Sequence, residues 1–265
     1  MMNSGQNLLQ LLQERKKDDS ASSPGKTLLR LVQAPPVDAL TRLSLPGADV
    51  RYLRAFLGDS EAWGLFEALT RHRRREPWTR MSSTGREIAQ WSEPGGRKYI
   101  FSDTEYVAQP FPQFVLQLKQ QIELRLNAAY RSSTCSSQCS SSHGSSSKCS
   151  SSSNGSSSSG VNGIKEVKFN YCVANYYIDG NCGVNWHSDS EAELVDEAPI
   201  VCVSVGAQRT LGLRHKRNLE ETQIDLHHGS LFLMAGLTQM HYLHSILKGG
   251  DNNPRFSLTF RVHTT

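Results

Sequence analysis

From residue 167 onward the apolar positions fall in short runs: "VKFNYCVANYY", "PIVCVSVG", "RTLGLRH", "TQIDL", "SLFLMAG" and "RFSLTFRV", separated by Gly, Asn and Asp turns. No helical period intervenes, which predicts an antiparallel sandwich or barrel. In the last run Phe256, Leu258, Phe260 and Val262 alternate with Arg255, Ser257, Thr259 and Arg261, giving one apolar and one polar face. Upstream the period changes. Trp63, Phe66 and Leu69 recur every third position behind a cap at Asp59 or Ser60, and Pro77 stops that helix. Val115, Leu118 and Ile122 form a second helical stripe, with Pro112 suited to its first turn. Two helices covering one sheet make the chain α+β.

Composition divides the 265 residues into parts. Residues 1–45 carry no sustained periodicity and contain Pro35 and Pro36, so they read as a flexible N-terminal tail. Residues 46–131 hold the helices and a hairpin segment. Between 132 and 160 serine takes 18 of 29 positions, too little apolar surface to offset ordering entropy, so this is read as a disordered insertion. Within it Cys135, Cys139, His143 and Cys149 have spacings a zinc ion tolerates, but nothing apolar surrounds them. Residues 161–265 form the strand-rich core, and 46–265 one catalytic domain.

A formal charge of +4 permits contact with phosphates without demanding it. The six cysteines have no framework spacing and are read as reduced thiols of an intracellular protein. The start lacks the pattern of a secretory signal, and no segment approaches the roughly 20 apolar residues of a membrane span.

The candidate chemistry begins at "NYYIDGNCGVNWHSDSE". On a strand, His187 and Asp189 point to the same face and suit two neighbouring positions on a metal. An imidazole hydrogen-bonded to a carboxylate is the plainer explanation unless a third ligand joins. His215, His227, His228, His241, His244 and His263 are available. The odd spacing of His241 and His244 admits at most one of them. Arg255 and Arg261 share the polar face of the last strand, roughly 20 Å apart at Cα if it is straight. They either bracket a small dicarboxylate or lie on a solvated edge.

Asn175 and Tyr177, His187 and Asp189, a distant His244, and Arg255 with Arg261 together resemble the AlkB family of Fe(II)- and 2-oxoglutarate-dependent dioxygenases, nearest its nucleic-acid-repair branch. That resemblance implies a double-stranded β-helix, or jelly-roll, core with N-terminal flanking helices and a nucleotide-recognition hairpin. His187, Asp189 and His244 would be the iron ligands and catalytic centre. Asn175, Tyr177, Arg255, Ser257 and Arg261 would bind 2-oxoglutarate, with Arg255 at the far carboxylate and Arg261 steadying the metal end. Ser257 departs from the asparagine most relatives carry, so its hydrogen bond reaches less far.

The implied reaction uses Fe(II), 2-oxoglutarate and O2 to demethylate N-alkylated bases of the 1-methyladenine or 3-methylcytosine type, releasing formaldehyde, succinate and CO2. The implied partner is methylated DNA or RNA, single-stranded or with a flipped base, and no membrane. "AQWSEPGGRKYIFSDTEY" resembles the recognition hairpin, placing Phe101 against the base, with Tyr99 and Trp91 as companions or as core packing. Glu191 would accept from the exocyclic amine, and the run "RHRRREPW" with Arg80, Arg86, Arg97 and Lys98 would face phosphates. A monomer in nucleus or cytoplasm is expected. The alternative is a protein or other small-group hydroxylase on the same core.

Overall fold

A computed structural model describes residues 40–94, 98–101, 104–136 and 166–264. In chain order the elements begin with β1 (Thr41–Arg42), β2 (Asp49–Leu53), α1 (Asp59–Arg75), β3 (Thr79–Arg80), β4 (Glu87–Ser92), β5 (Lys98–Phe101), β6 (Thr104–Val107), β7 (Gln109–Pro110) and α2 (Gln113–Ser136). They continue with β8 (Tyr171–Tyr177), β9 (Val184–His187), β10 (Ile200–Gly206), β11 (Arg209–His215), β12 (Glu221–Leu226), β13 (Ser230–Ala235), α3 (Thr238–His241), β14 (Tyr242–Ile246) and β15 (Arg255–Arg261).

A large sheet runs β1-β2-β13-β10-β15-β8-β4-β3, with β7 joined to β4, and a smaller one runs β12-β11-β14-β9. Among the described residues every strand pair is antiparallel except β4 with β7. The two sheets face each other as a jelly roll, and β5 pairs only with β6 as a separate hairpin among the described residues.

Burial explains the near-continuous apolar runs. All six residues of β13 are buried because both its faces are covered. Leu231, Leu233 and Ala235 pack towards α1 and α2, together with Val201, Val203, Val205, Phe256, Leu258 and Phe260 of β10 and β15. Phe232 and Met234 point the other way and meet Leu211, Leu213, Tyr242 and Ile246 of the smaller sheet. Each such side chain contributes about 1.5–3 kcal/mol on burial. The stripes expected on the helices hold: Phe66, Leu69, Val115, Leu118 and Ile122 are buried in the first cluster, with Trp63 packed against it.

Four boundaries differ from the sequence reading. The segment read as tail to residue 45 contains β1, whose Thr41 and Arg42 pair with Tyr52 and Arg51, because Leu43 and Leu45 pack on the inter-sheet core. Helix α1 is capped at Gly58 rather than Asp59 or Ser60, since the Glu61 carboxylate accepts from the Gly58 N–H at 3.0 Å. Helix α2 runs to Ser136, into the serine tract, whose residues 137–160, with Cys139, His143 and Cys149, lie outside the described residues. The ladder of β8 starts at Tyr171 instead of Val167, because Val167 and Phe169 donate their N–H groups to Asn127 and Glu123 of α2.

Candidate metal and cosubstrate centre

The polar face of β15 looks into the space between the sheets, not towards solvent, because β15 lies between β10 and β8 in the middle of the large sheet. A cavity there is lined by His187, Asp189, Glu191 and His244 at one end and by Asn175, Tyr177, Ser257 and Arg86 further in.

At the metal end, β9 and β14 pair with His187 opposite His244, and their rings approach to 4.1 Å between centroids. Strand β9 stops at His187, so Asp189 does not share its strand face as the sequence suggested. Residues 188–191 leave the ladder instead, and the carboxylate comes near both imidazoles. Asp189 Oδ1 lies 3.4 Å from His187 Nε2 and 3.8 Å from His244 Nε2. One ligand atom from each of the three falls within 4.8 Å of the others. Two imidazoles and one carboxylate on one side of a point are a donor set that suits Fe(II) and leaves positions open.

Neighbouring groups hold this geometry. The Asn185 carbonyl, 2.9 Å from His187 Nδ1, accepts its proton and leaves Nε2 to face the cavity. Gly212 on β11 leaves room for the ring of Trp186, where a Cβ would come within 2.6 Å. Arg261 grips Asp189 through Oδ2 alone, with Nε at 3.0 Å and Nη2 at 2.7 Å, so Oδ1 stays available. Burial by itself would raise the Asp189 pKa. Arg261, the hydrogen bond from His187 and the nearby imidazoles override it and hold the carboxyl well below the usual range. Burial, aided by His187, lowers the His244 imidazole to about 3 and so keeps it in the ligating form.

Gln239 of α3 was missed in the sequence: its Oε1 accepts from the Asp189 N–H at 2.9 Å. Lys216 donates to Ser188 Oγ at 3.2 Å and to the Gln239 carbonyl at 2.8 Å, tying the ligand loop to that helix. Nothing in the local pattern marks either residue, because the contacts join segments far apart in sequence. His241, at the end of α3, stacks on His215 instead of entering the site.

At the other end four of the five residues singled out for 2-oxoglutarate, all but Arg261, form one block. Arg255 pairs with Tyr177 and Ser257 with Asn175 across β15 and β8. Arg255 is fully buried, donates to Ser204 Oγ at 2.9 Å and lies 4.8 Å from the Tyr177 ring centre. Its Nε and Nη1 are buried without a hydrogen-bond partner among the described residues. A buried guanidinium left with free N–H groups fits a carboxylate-bearing ligand. Arg209 adds a second buried cation nearby, its pKa lowered by burial and by the charge of Arg255.

The substrate candidates divide. Glu191 lines the cavity beside Asp189. Trp91 does not belong with the base-facing residues: it is 1% exposed and packs edge-on against His72 and Trp78 behind the large sheet. Strand alternation decides this, since Ile88 and Gln90 of β4 line the cavity while Ala89 and Trp91 face the helices. Tyr99 and Phe101 lie on β5, paired with Tyr106 and Thr104, and their side chains are outside the described residues. In the basic run Arg73 is not free for phosphate, because Glu87 accepts from it at 2.5 and 2.8 Å and Tyr176 stacks beneath it at 4.0 Å. Arg74 and Arg75 are exposed, whereas Arg86 is buried in the cavity wall.

Residues 49–261 match the 2OG-Fe(II) oxygenase superfamily. The chain is 39% identical over 102 residues to DNA oxidative demethylase ALKBH2 of Bos taurus, covering 35% of this chain and 37% of that protein. It is 38% identical over 104 residues to alpha-ketoglutarate-dependent dioxygenase alkB homolog 3 of Mus musculus, covering 36% of each. The matched segment thus spans little more than a third of these curated relatives. The solved structure of OsALKBH1 superposes with a TM-score of 0.54 at 15% identity, covering 84% of this chain and all of that one, a likeness of fold alone. Fold, ligand triad and matched span agree: the chain belongs to the 2OG-Fe(II) oxygenase superfamily, whose members use Fe(II), 2-oxoglutarate and O2.

Proposed function

We propose that this chain is an oxidative demethylase of N-alkylated bases in DNA or RNA. The observation that carries the reading is the placement of Glu191 in the wall of the cavity that also holds His187, Asp189 and His244. The names of the ALKBH2 and alkB homolog 3 relatives support it.

Iron with 2-oxoglutarate and O2 supplies the oxidation of an N-methyl group to N-hydroxymethyl, which loses formaldehyde as the N–C bond breaks. The protein's own side chains do the rest. His187, Asp189 and His244 would hold the metal, and Arg261 keeps Asp189 ionised. Arg255, Ser257, Asn175 and Tyr177 orient the cosubstrate, with Arg255 on its distal carboxylate. Glu191 accepts a hydrogen bond from the exocyclic amine of adenine or cytosine. The reacting atoms sit between two sheets, so a base reaches them only from a single strand or flipped out of a duplex. The β5-β6 hairpin carries Phe101 and Tyr99, the aromatic residues assigned to stacking on that base. Arg74 and Arg75 offer charge to the backbone.

Among the described residues no helix is long and apolar enough to cross a membrane. The test is Fe(II)-dependent release of formaldehyde and succinate from oligonucleotides bearing 1-methyladenine or 3-methylcytosine, run beside methylated and unmodified peptides. Stoichiometric release with the oligonucleotides alone is expected. Turnover with peptides alone would transfer the chain to protein hydroxylation.

A further inference from the structure

The sequence reading put Arg86 with the surface charges. The residue is instead 7% exposed and lines the cavity. A tight turn delivers it there: the Gly85 N–H reaches the Met81 carbonyl at 2.8 Å with Gly85 at φ +72, and the Met81 N–H returns to the Arg86 carbonyl at 2.8 Å. Nη1 donates to Thr84 Oγ1 at 2.7 Å, which fixes the plane of the head group. Nε then donates to Asn175 Oδ1 at 2.9 Å.

That contact settles which way the Asn175 amide faces. An amide presents an acceptor on one side and two donors on the other, and only the donor side attracts a carboxylate. With Oδ1 engaged by Arg86, Nδ2 points towards Ser257, whose Oγ is 3.5 Å away, the limit of a hydrogen bond. At that length the bond to the serine is weak, and Nδ2 keeps a second hydrogen for an anion in the cavity.

We propose that Arg86 is a positioning residue for 2-oxoglutarate: it locks the Asn175 amide with its donors towards the cosubstrate, a task the short Ser257 cannot perform. This rests on Asn175 being a cosubstrate residue. Arg86 works through Asn175 and not by touching the reacting atoms.

The experiment titrates 2-oxoglutarate calorimetrically into the full chain loaded with Mn(II), so that binding is read without turnover. Arg86→Met should weaken binding on the order of tenfold, the loss of one charge-assisted hydrogen bond's ordering effect. Adding Ser257→Asn, whose longer amide reaches Asn175, should recover most of it. Methylated-oligonucleotide affinity should stay at the wild-type value. Unchanged 2-oxoglutarate affinity in Arg86→Met, with Asn175→Ala clearly weakened, overturns the role of Arg86 alone. Unchanged affinity in Asn175→Ala overturns the cosubstrate reading of that residue and the proposal with it. Loss of oligonucleotide affinity only would make Arg86 a substrate contact and also overturn the proposal. Should Arg86→Met fail to fold, Arg86→Lys takes its place in a double-mutant cycle with Asn175→Ala. Losses that add would defeat the proposal, and losses that do not add support it.

Discussion

Arg261 and Arg255 sit six positions apart on the same face of one strand, both buried, and their surroundings are opposite. At the metal end the fold supplies the anion: Arg261 closes on Asp189 through two N–H groups. At the other end, among the described residues, Arg255 meets a serine hydroxyl and an aromatic face, and its Nε and Nη1 have no hydrogen-bond partner. One guanidinium completes a protein-internal pair. The other is a buried cation that a ligand must satisfy. On the proposed reading the same residue type serves structure at one end and binding at the other, and the difference lies in its partners, not in its exposure.

Breaking the pair at the metal end should give the largest effects. Asp189→Ala should abolish stoichiometric Fe(II) binding, read by metal analysis after gel filtration. Asp189→Asn, which still offers an acceptor to Arg261, should keep the fold while losing most of the metal affinity. Retention of one iron per chain in both variants would remove Asp189 from the ligand set. Arg261→Met strips the counter-charge from a buried carboxylate, and should lower metal-free stability by about 3–5 kcal/mol in denaturant melts. His244→Ala should cost far more iron than His241→Ala, whose ring lies against His215. The reverse order would show that the wrong histidine is assigned.

The mirror-image substitution sharpens the contrast. Arg255→Met removes a charge with no anion paired to it among the described residues, so metal-free stability should change by less than about 1 kcal/mol in either direction. Its cost should appear in the 2-oxoglutarate requirement, raised by about tenfold or more and partly overcome at high cosubstrate. Arg255→Met that destabilises the metal-free protein as much as Arg261→Met would erase the distinction between the two ends. Glu191→Gln is expected to act on neither iron nor cosubstrate, but to lower turnover of methylated oligonucleotides roughly tenfold.

How far the sequence carries depends on whether a contact is periodic or long-range. The alternation in "RFSLTFRV" gave the two faces of β15 directly, and the unbroken apolar run "SLFLMA" is what a strand covered on both sides requires. The ligand triad was legible because His187 and Asp189 are near neighbours and the resemblance selected His244. Trp91 could be read either way until the register of β4 put it behind the sheet. Arg86 and Gln239 were not legible at all. Their roles come from hydrogen bonds to Asn175 and Asp189 across 89 and 50 residues of chain, which no local period encodes. Arg73 looked like surface charge because a run of arginines hides which member finds a carboxylate, here Glu87.

The smallest expected effect uses a built-in probe of the metal end. His263 stacks on Tyr171 with ring centres 4.1 Å apart, and its pKa is lowered to about 4, first by burial and then by the charge of Arg261, with Asp189 opposing. An unfolded histidine titrates near 6.5. Between about pH 4 and 6.5 the unfolded chain therefore binds the proton that the folded chain refuses. The contribution of His263 to stability is then fully present above about pH 6.5 and is lost as the pH falls towards 4. His263→Gln should flatten the pH dependence of metal-free stability across that window relative to wild type. In Arg261→Met the lowering charge is gone while Asp189 still opposes it, so the imidazole midpoint followed by NMR should move up towards the ordinary value. A midpoint that stays near 4 would mean that burial alone sets it, and that the field of Arg261 is spent entirely on Asp189.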